Sequence, residues 1–378
     1  MSNDIRIKKG LDIKLNGEAE KTVEQAIISN YSTIRPEDFH GVTPKLVAKE
    51  GTLVKAGSTL FFDKSQETVK FSSPVSGKVV EVLRGPKRRI DAIKIEADKT
   101  QTFEDFGKFD IDASKPEEIK AHLLASGCWP FVKQRPYDVI ANPEKSPKAI
   151  FISGYASAPL AADLDFTLQG KESELQAAVS ALGKLTEGKV HVSVGKNGNS
   201  PLAGLNGVIL HKVSGPHPSG NVGTQINKID PINKGEVVWT VSPQDLVIIG
   251  ELLLTGNFNA ERIVALVGSS VEKPRYFKTI AGSEIATIVY DKGVSKDGND
   301  RIISGNVLSG KQIQTDGNLD YYSNVVSIIP EGDDYELFGW TKPVFNKVST
   351  SRALTFSWLN PKKKYDLNTN TNGEHRAF

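Results

Sequence analysis

The chain has 378 residues, enough for about two to four domains of roughly 100–200 residues each. Its 47 Lys plus Arg stand against 45 Asp plus Glu, so the net charge of +2 gives no global pull toward nucleic acid or an anionic membrane, any such partner must be held by a local patch, and no nucleic-acid partner is expected. A single cysteine, Cys128, excludes a disulfide framework and any cysteine-ligated iron-sulfur or zinc centre within the chain, and fits a reducing compartment.

The opening "MSNDIRIKKGLDIKL" lacks the apolar core of a signal peptide. Residues 1–101 are rich in β-branched residues, Lys and Gly, and short alternating segments such as Val69-Lys70-Phe71, Val80-Glu81-Val82 and Ile93-Lys94-Ile95 predict a small β-sandwich or barrel. "VKFSSPVSGKVVEVLRG" (69–85), a strand, a Ser-Pro corner and a second strand, is half of the hairpin that biotinyl and lipoyl carrier domains use to present a modified lysine. At the tip, "DKSQET" holds Lys64, but it reads as too long for a defined two-residue turn, so the carrier fold is expected without the carrier function.

From residue 102 to 256 the pattern becomes α/β. "SKPEEIKAHLLASG" has Ser as N-cap, Pro at the first helical position, acids in the first turn and a closing Gly. "KAIFISG" (148–154) predicts a strand; a helix follows with Leu175, Ala178, Val179, Leu182 and Leu185 on one face, then the strand "KVHVSVG". Strand, helix, strand is a parallel βαβ unit and the start of a Rossmann-like sheet. "DLVIIGELLLTG" (245–256) is broken by Glu251 and far short of the about 20 residues that span a bilayer, so a soluble or peripheral protein is expected. Residues 257–330 suit a β-grasp domain, and residues 331–378 read as the start of a C-terminal domain cut short.

Neither a GxGxxG nor a P-loop is present. In "LLASGCWPFVKQRP" (123–136) Trp129 and Phe131 fill the space a phosphate cradle leaves open, and Pro130 removes a donor. In "SGPHPSGNVGTQI" (214–226) Gly215, Gly220 and Gly223 surround a stiff Pro216-His217-Pro218 turn with few free amides. His217 can donate to a quinone carbonyl or titrate near neutrality; as a plain loop residue it needs no function. The six histidines show no HxxxH or paired metal spacing, so no metal site and no catalytic triad are expected. The basic runs Lys87-Arg88-Arg89 and Lys362-Lys363-Lys364 read as solvated faces that can touch headgroups or an acidic partner.

The order of "IRIKKGLDIKLNG", "KFSSPVSGKVVEVLRGPKRR", "NPEKSPKAIFIS", "KLTEGKV", "GPHPSGNVGT", "ELFGW" and "NTNTNGEHRAF" resembles the NqrA family of the sodium-translocating NADH:quinone oxidoreductases over essentially the whole chain. The resemblance implies an N-terminal biotinyl/lipoyl-like barrel-sandwich domain, a Rossmann-like α/β domain, a β-grasp (SLBB-like) domain and the start of a C-terminal helical domain. It further implies a peripheral subunit on the cytoplasmic face of the bacterial inner membrane, docked on the membrane-embedded, flavin-carrying subunit of the same complex, with ubiquinone as substrate. Related flavin-binding subunits of respiratory complex I and of the Rnf complex carry a glycine-rich loop where this chain keeps only Gly127 beside Trp129. No tightly bound cofactor and no catalytic residue of its own are therefore expected. Trp129, Phe131, Arg135 and His217 are the expected quinone contacts, unless the aromatics merely plug an abandoned flavin cavity. The rival readings are a docking platform without a ligand and an FMN-binding electron-transfer subunit of the Rnf type.

Overall fold

The computed structural model describes residues 4–27, 29–289, 299–333, 359 and 362–370. The expected C-terminal segment, with "ELFGW", lies largely outside these described residues. Two short strands, β1 (Asp4–Arg6) and β2 (Glu20–Gln25), precede a barrel-sandwich built from β3 (Tyr31–Ile34), β4 (Pro44–Leu46), β5 (Leu53–Val54), β6 (Thr59–Asp63), β7 (Gln66–Ser72), β8 (Gly77–Arg84) and β9 (Ile90–Ala97). Its two antiparallel sheets run β3-β9-β8-β5 and β4-β6-β7. Period-two alternation sends Ile93 and Ile95 of β9 inward while Glu96 stays exposed. Phe61 stacks on Phe71 at 4.4 Å and 8°, and Phe39 closes edge-on over Phe71 at 4.5 Å. Each such pair adds about 0.5–1.5 kcal/mol beyond its buried area.

The β6–β7 hairpin corrects one expectation. Asp63 pairs with Gln66, so the turn is the two residues Lys64-Ser65, and the tip is not too long. Asp63 sets it: its carboxylate accepts from the Ser65 amide (3.1 Å), the Ser65 hydroxyl (2.7 Å) and the Thr43 amide (3.2 Å). An Asx-type turn of this kind supplies the geometry that glycine gives elsewhere.

The α/β unit contains α1 (Pro116–Ser126), β10 (Lys133–Arg135), β11 (Val139–Ile140), β12 (Ile150–Gly154), α2 (Leu164–Thr167), α3 (Glu172–Gly183), β13 (Val190–Gly195), β14 (Ile209–Ser214), α4 (Val222–Ile229), β15 (Val238–Thr240) and α5 (Pro243–Thr255). In α1 the N-cap is Lys115, one residue beyond the expected Ser114. The Glu118 side chain accepts from the Lys115 amide at 2.7 Å, while the Ser114 hydroxyl donates to Asp110 O. Gly127 ends the helix at φ 77°, the left-handed conformation expected of it. The sheet order is β1-β14-β13-β12-β15-β10-β11, parallel except at β10 and β11. The predicted apolar face of α3 is buried, and α3 packs on α5 where Gly250 leaves no room for a side chain: a Cβ there would lie 1.9 Å from Glu174 O.

The third unit contains β16 (Glu261–Val267), β17 (Arg275–Ile280), α6 (Ala286–Val289), β18 (Asp300–Ser304), β19 (Lys311–Ile313) and β20 (Val325–Pro330). Its sheet, β19-β18-β20-β16-β17-β2, has β16 and β20 parallel at its centre, as a β-grasp requires, over a core of Val264, Leu266, Phe277, Ile288 and Ile328. The sheets do not follow the expected segments in strict order. β1 joins the α/β sheet beside β14 and β2 joins the β-grasp sheet beside β17, so residues 4–25 tie the three units together. Sequence patterning misses this because both strands are short and mostly exposed, with no buried face to betray them.

Candidate functional site

The strand order reverses between β12 and β15: β13 and β14 lie on one side, β15 and β10 on the other. A ligand crevice belongs at the carboxyl ends of such strands, and a cleft of about 940 Å³ opens there. Ser153 near the end of β12, Thr240 at the end of β15, and the first turns of α4 (Val222, Gly223) and α5 (Gln244, Asp245) line it. The β-grasp unit supplies the opposite wall through Asp320, Tyr322 and Lys311, and the barrel-sandwich contributes Asp38. The cleft is thus shared by all three units.

Of the four expected contacts, two line this cleft. Phe131 lies almost parallel to Tyr321 at 5.6 Å and to Phe258 at 6.3 Å, and meets Tyr322 edge-on. Arg135 stands at the end of β10, ion-paired to Asp138 at 3.3 Å, with its Nε lacking a protein acceptor. His217 is one residue removed: its Nδ1 is 3.1 Å from the hydroxyl of Ser157, a lining residue, and its amide donates to Asp12. Trp129 is not a lining residue. It is fully buried behind the cleft, T-shaped against Trp239 at 5.3 Å, and its Nε1 donates to Ala141 O at 2.7 Å.

The structure adds residues that sequence reasoning misses. Tyr322 presents its ring to the Lys133 ammonium at 3.8 Å and donates its hydroxyl to Pro130 O at 2.7 Å, which pins the "WPF" segment to the β-grasp wall. Arg262, 2% exposed, binds Asp245 at 2.6 Å and sits 5.8 Å from the Phe131 ring centre. No sequence spacing connects β16 to the first turn of α5, so this pair has no signature in the chain. His191 and His211, twenty residues apart, meet diagonally across β13 and β14 at 3.0 Å, a cross-strand contact invisible to HxxxH searches. Among the described residues no group of three or more His, Cys, Asp or Glu could hold a metal ion, and no helix is long and apolar enough to cross a membrane.

Asp38 carries a pH signature. Burial, with the negative charge of Asp320 adding to it, pushes its carboxyl up to about 7, although the Tyr321 amide donates to it at 3.2 Å. A folded-state pKa above the unfolded value means that folding favours the protonated acid. That contribution is complete below about pH 4 and is lost as pH rises through about 7. Asp38→Asn stays neutral and keeps the acceptor for Tyr321. Its thermal midpoint should exceed the parent's by a few degrees at pH 8 and converge with it toward pH 4. Equal midpoints at both pH values would contradict the shift.

Comparison with known proteins places each unit. Residues 5–98 match the NqrA N-terminal barrel-sandwich hybrid domain, 114–258 the NqrA second alpha/beta domain and 263–315 the NQRA C-terminal domain. The chain is 35% identical over 99% of its length to the NqrA subunit of the Na(+)-translocating NADH-quinone reductase of Neisseria meningitidis serogroup A, and 36% identical over 99% to that of Photorhabdus laumondii, covering 84% of each relative. It also overlays a chain of an NAD+-reducing [NiFe]-hydrogenase in the air-oxidized state over 61% of its length and 52% of that chain, at TM-score 0.38 and 10% identity, a likeness too weak to carry an argument. The chain belongs to the NqrA family, one of the subunit families of the Na(+)-translocating NADH-quinone reductases.

Proposed function

We propose that this chain is the peripheral ubiquinone-binding subunit of the sodium-translocating NADH:quinone oxidoreductase, with the quinone headgroup seated in the three-unit cleft. The observation that carries this reading is the meeting, in one crevice, of the half-buried Tyr322 ring, backed by the buried Phe131, with cationic donors from Lys133 and Arg135. A quinone asks for such a flat apolar surface for the ring and one or two donors for its carbonyls. Arg135 keeps one N–H direction unfilled by protein, and His217 braces the Ser157 side of the same crevice. Trp129 acts from behind, fixing the segment that carries Phe131.

On this reading the protein holds no flavin or iron-sulfur centre of its own. It docks at the cytoplasmic face of the inner membrane against the membrane-embedded subunit that carries the flavin, and the complete complex couples NADH oxidation by ubiquinone to sodium export. The isolated chain is not catalytic.

Calorimetric titration with a short-tailed ubiquinone tests the assignment. Arg135→Gln, which removes the charge and leaves the aromatic wall, should weaken binding about tenfold, as expected for the loss of one charge-assisted donor. Phe131→Leu, which keeps apolar volume but removes the ring that backs Tyr322, should do the same. Unchanged affinity in both variants would place the quinone elsewhere.

A further inference from the structure

We propose that the tip of the β8–β9 hairpin is a docking surface for an anionic phospholipid bilayer. This goes beyond the quinone reading and does not depend on it. From Leu83 to Arg89 no residue is buried, and Leu83 is 51% exposed beside Arg84, Lys87, Arg88 and Arg89. Only part of that charge is answered. Arg89 pairs with Asp91 at 2.7 Å, and Arg84 donates to the Arg88 carbonyl at 3.1 Å. Lys87 and Arg88 meet no carboxylate among the described residues.

The backbone holds these two side chains in an unusual turn. Lys87 and Arg88 lie at φ 56° and 60°, a left-handed conformation uncommon outside glycine, and the loop is closed by Gly85 N–H to Arg89 O (2.9 Å) and Arg89 N–H to Pro86 O (3.2 Å). A rare conformation occupied by two cations in an exposed turn is the kind of feature that points toward a function.

Charge is distributed to match. Residues 31–97, the barrel-sandwich, hold twelve Lys or Arg against eight Asp or Glu, whereas the other residues hold the remaining 35 against 37. The barrel-sandwich is therefore the basic end of a nearly neutral molecule. An anionic leaflet attracts that end first, each basic residue near the surface being worth about fivefold in affinity. A projecting hairpin also suits a deformable headgroup layer better than a pocket. The aliphatic Leu83 beside the cations gives the apolar contact that seats such a tip at the interface.

The test is co-sedimentation of the full chain with vesicles of equal parts phosphatidylglycerol and phosphatidylcholine. Binding at low salt, absent on pure phosphatidylcholine and released near about 1 M salt, where the screening length falls to about 3 Å, is the expected result. Lys87→Glu with Arg88→Glu should weaken it by about tenfold or more. Lys87→Gly with Arg88→Gly, which removes the charges while easing the turn, should also weaken it. Lys234→Glu with Lys273→Glu, exposed lysines far from the hairpin in sequence, should leave binding unchanged. Failure of the parent chain to sediment with the anionic vesicles, or equal losses in the hairpin and control variants, would overturn the proposal. Binding of the tip to an acidic protein but not to these vesicles would overturn it too.

Discussion

Arg262→Met should lower the stability of the chain by about 3–5 kcal/mol, the usual cost of leaving one member of a buried ion pair without its partner. Arg262 is 2% exposed and Asp245 3%, so neither has water to fall back on. The pair joins β16 to the first turn of α5, where the Asp245 amide also donates to the Ser242 cap. Loss of Arg262 strands a carboxylate beside the cleft and removes the cation that faces Phe131 at 5.8 Å. The paired variant Arg262→Met with Asp245→Leu should recover most of the loss, because an apolar pair of similar volume avoids desolvating two charges. Thermal or denaturant unfolding decides it. If the single and paired variants were equally unstable, packing rather than charge would explain the site.

The second large effect is at Trp129. Trp129→Ala should cost about 3–5 kcal/mol, from a cavity at a fully buried position that the neighbouring Trp239 cannot fill. It also leaves Ala141 O without its 2.7 Å donor. Trp129→Phe keeps an aromatic edge against Trp239 and loses mainly the hydrogen bond, for about 1–2 kcal/mol. These variants separate structure from binding. Because Trp129 stands behind the cleft, Trp129→Phe should retain quinone affinity close to the parent's, whereas Arg135→Gln loses it in a stable fold. A loss of quinone binding in Trp129→Phe without loss of stability would give the indole a direct contact that its position does not suggest.

What can be read from the sequence follows from which forces act locally. The helix at 116–126 is legible because Pro116, the first-turn acids and Gly127 are local signals, and even there the cap falls one residue later than expected. The βαβ unit is legible because α3 has a single apolar stripe and β12 and β13 are continuous apolar runs. The Lys64 turn escapes sequence reading because Asp63 uses its side chain to do what glycine or asparagine does in commoner two-residue turns. Phe131 and Arg135 can be singled out because they stand together on one segment. Tyr322, Arg262 and Asp38 cannot, because they reach the cleft from units far apart in the chain and only the tertiary fold brings them together.

Whether the three-unit cleft receives the quinone headgroup is decided by ligand saturation-transfer NMR on the full chain. A short-tailed ubiquinone is titrated, with FMN and NADH as parallel ligands, against the parent and Arg135→Gln. Transfer to the quinone ring protons should be saturable and sharply reduced in Arg135→Gln, with none to FMN or NADH. Saturable transfer to FMN, or quinone transfer that is the same in both proteins, would contradict it.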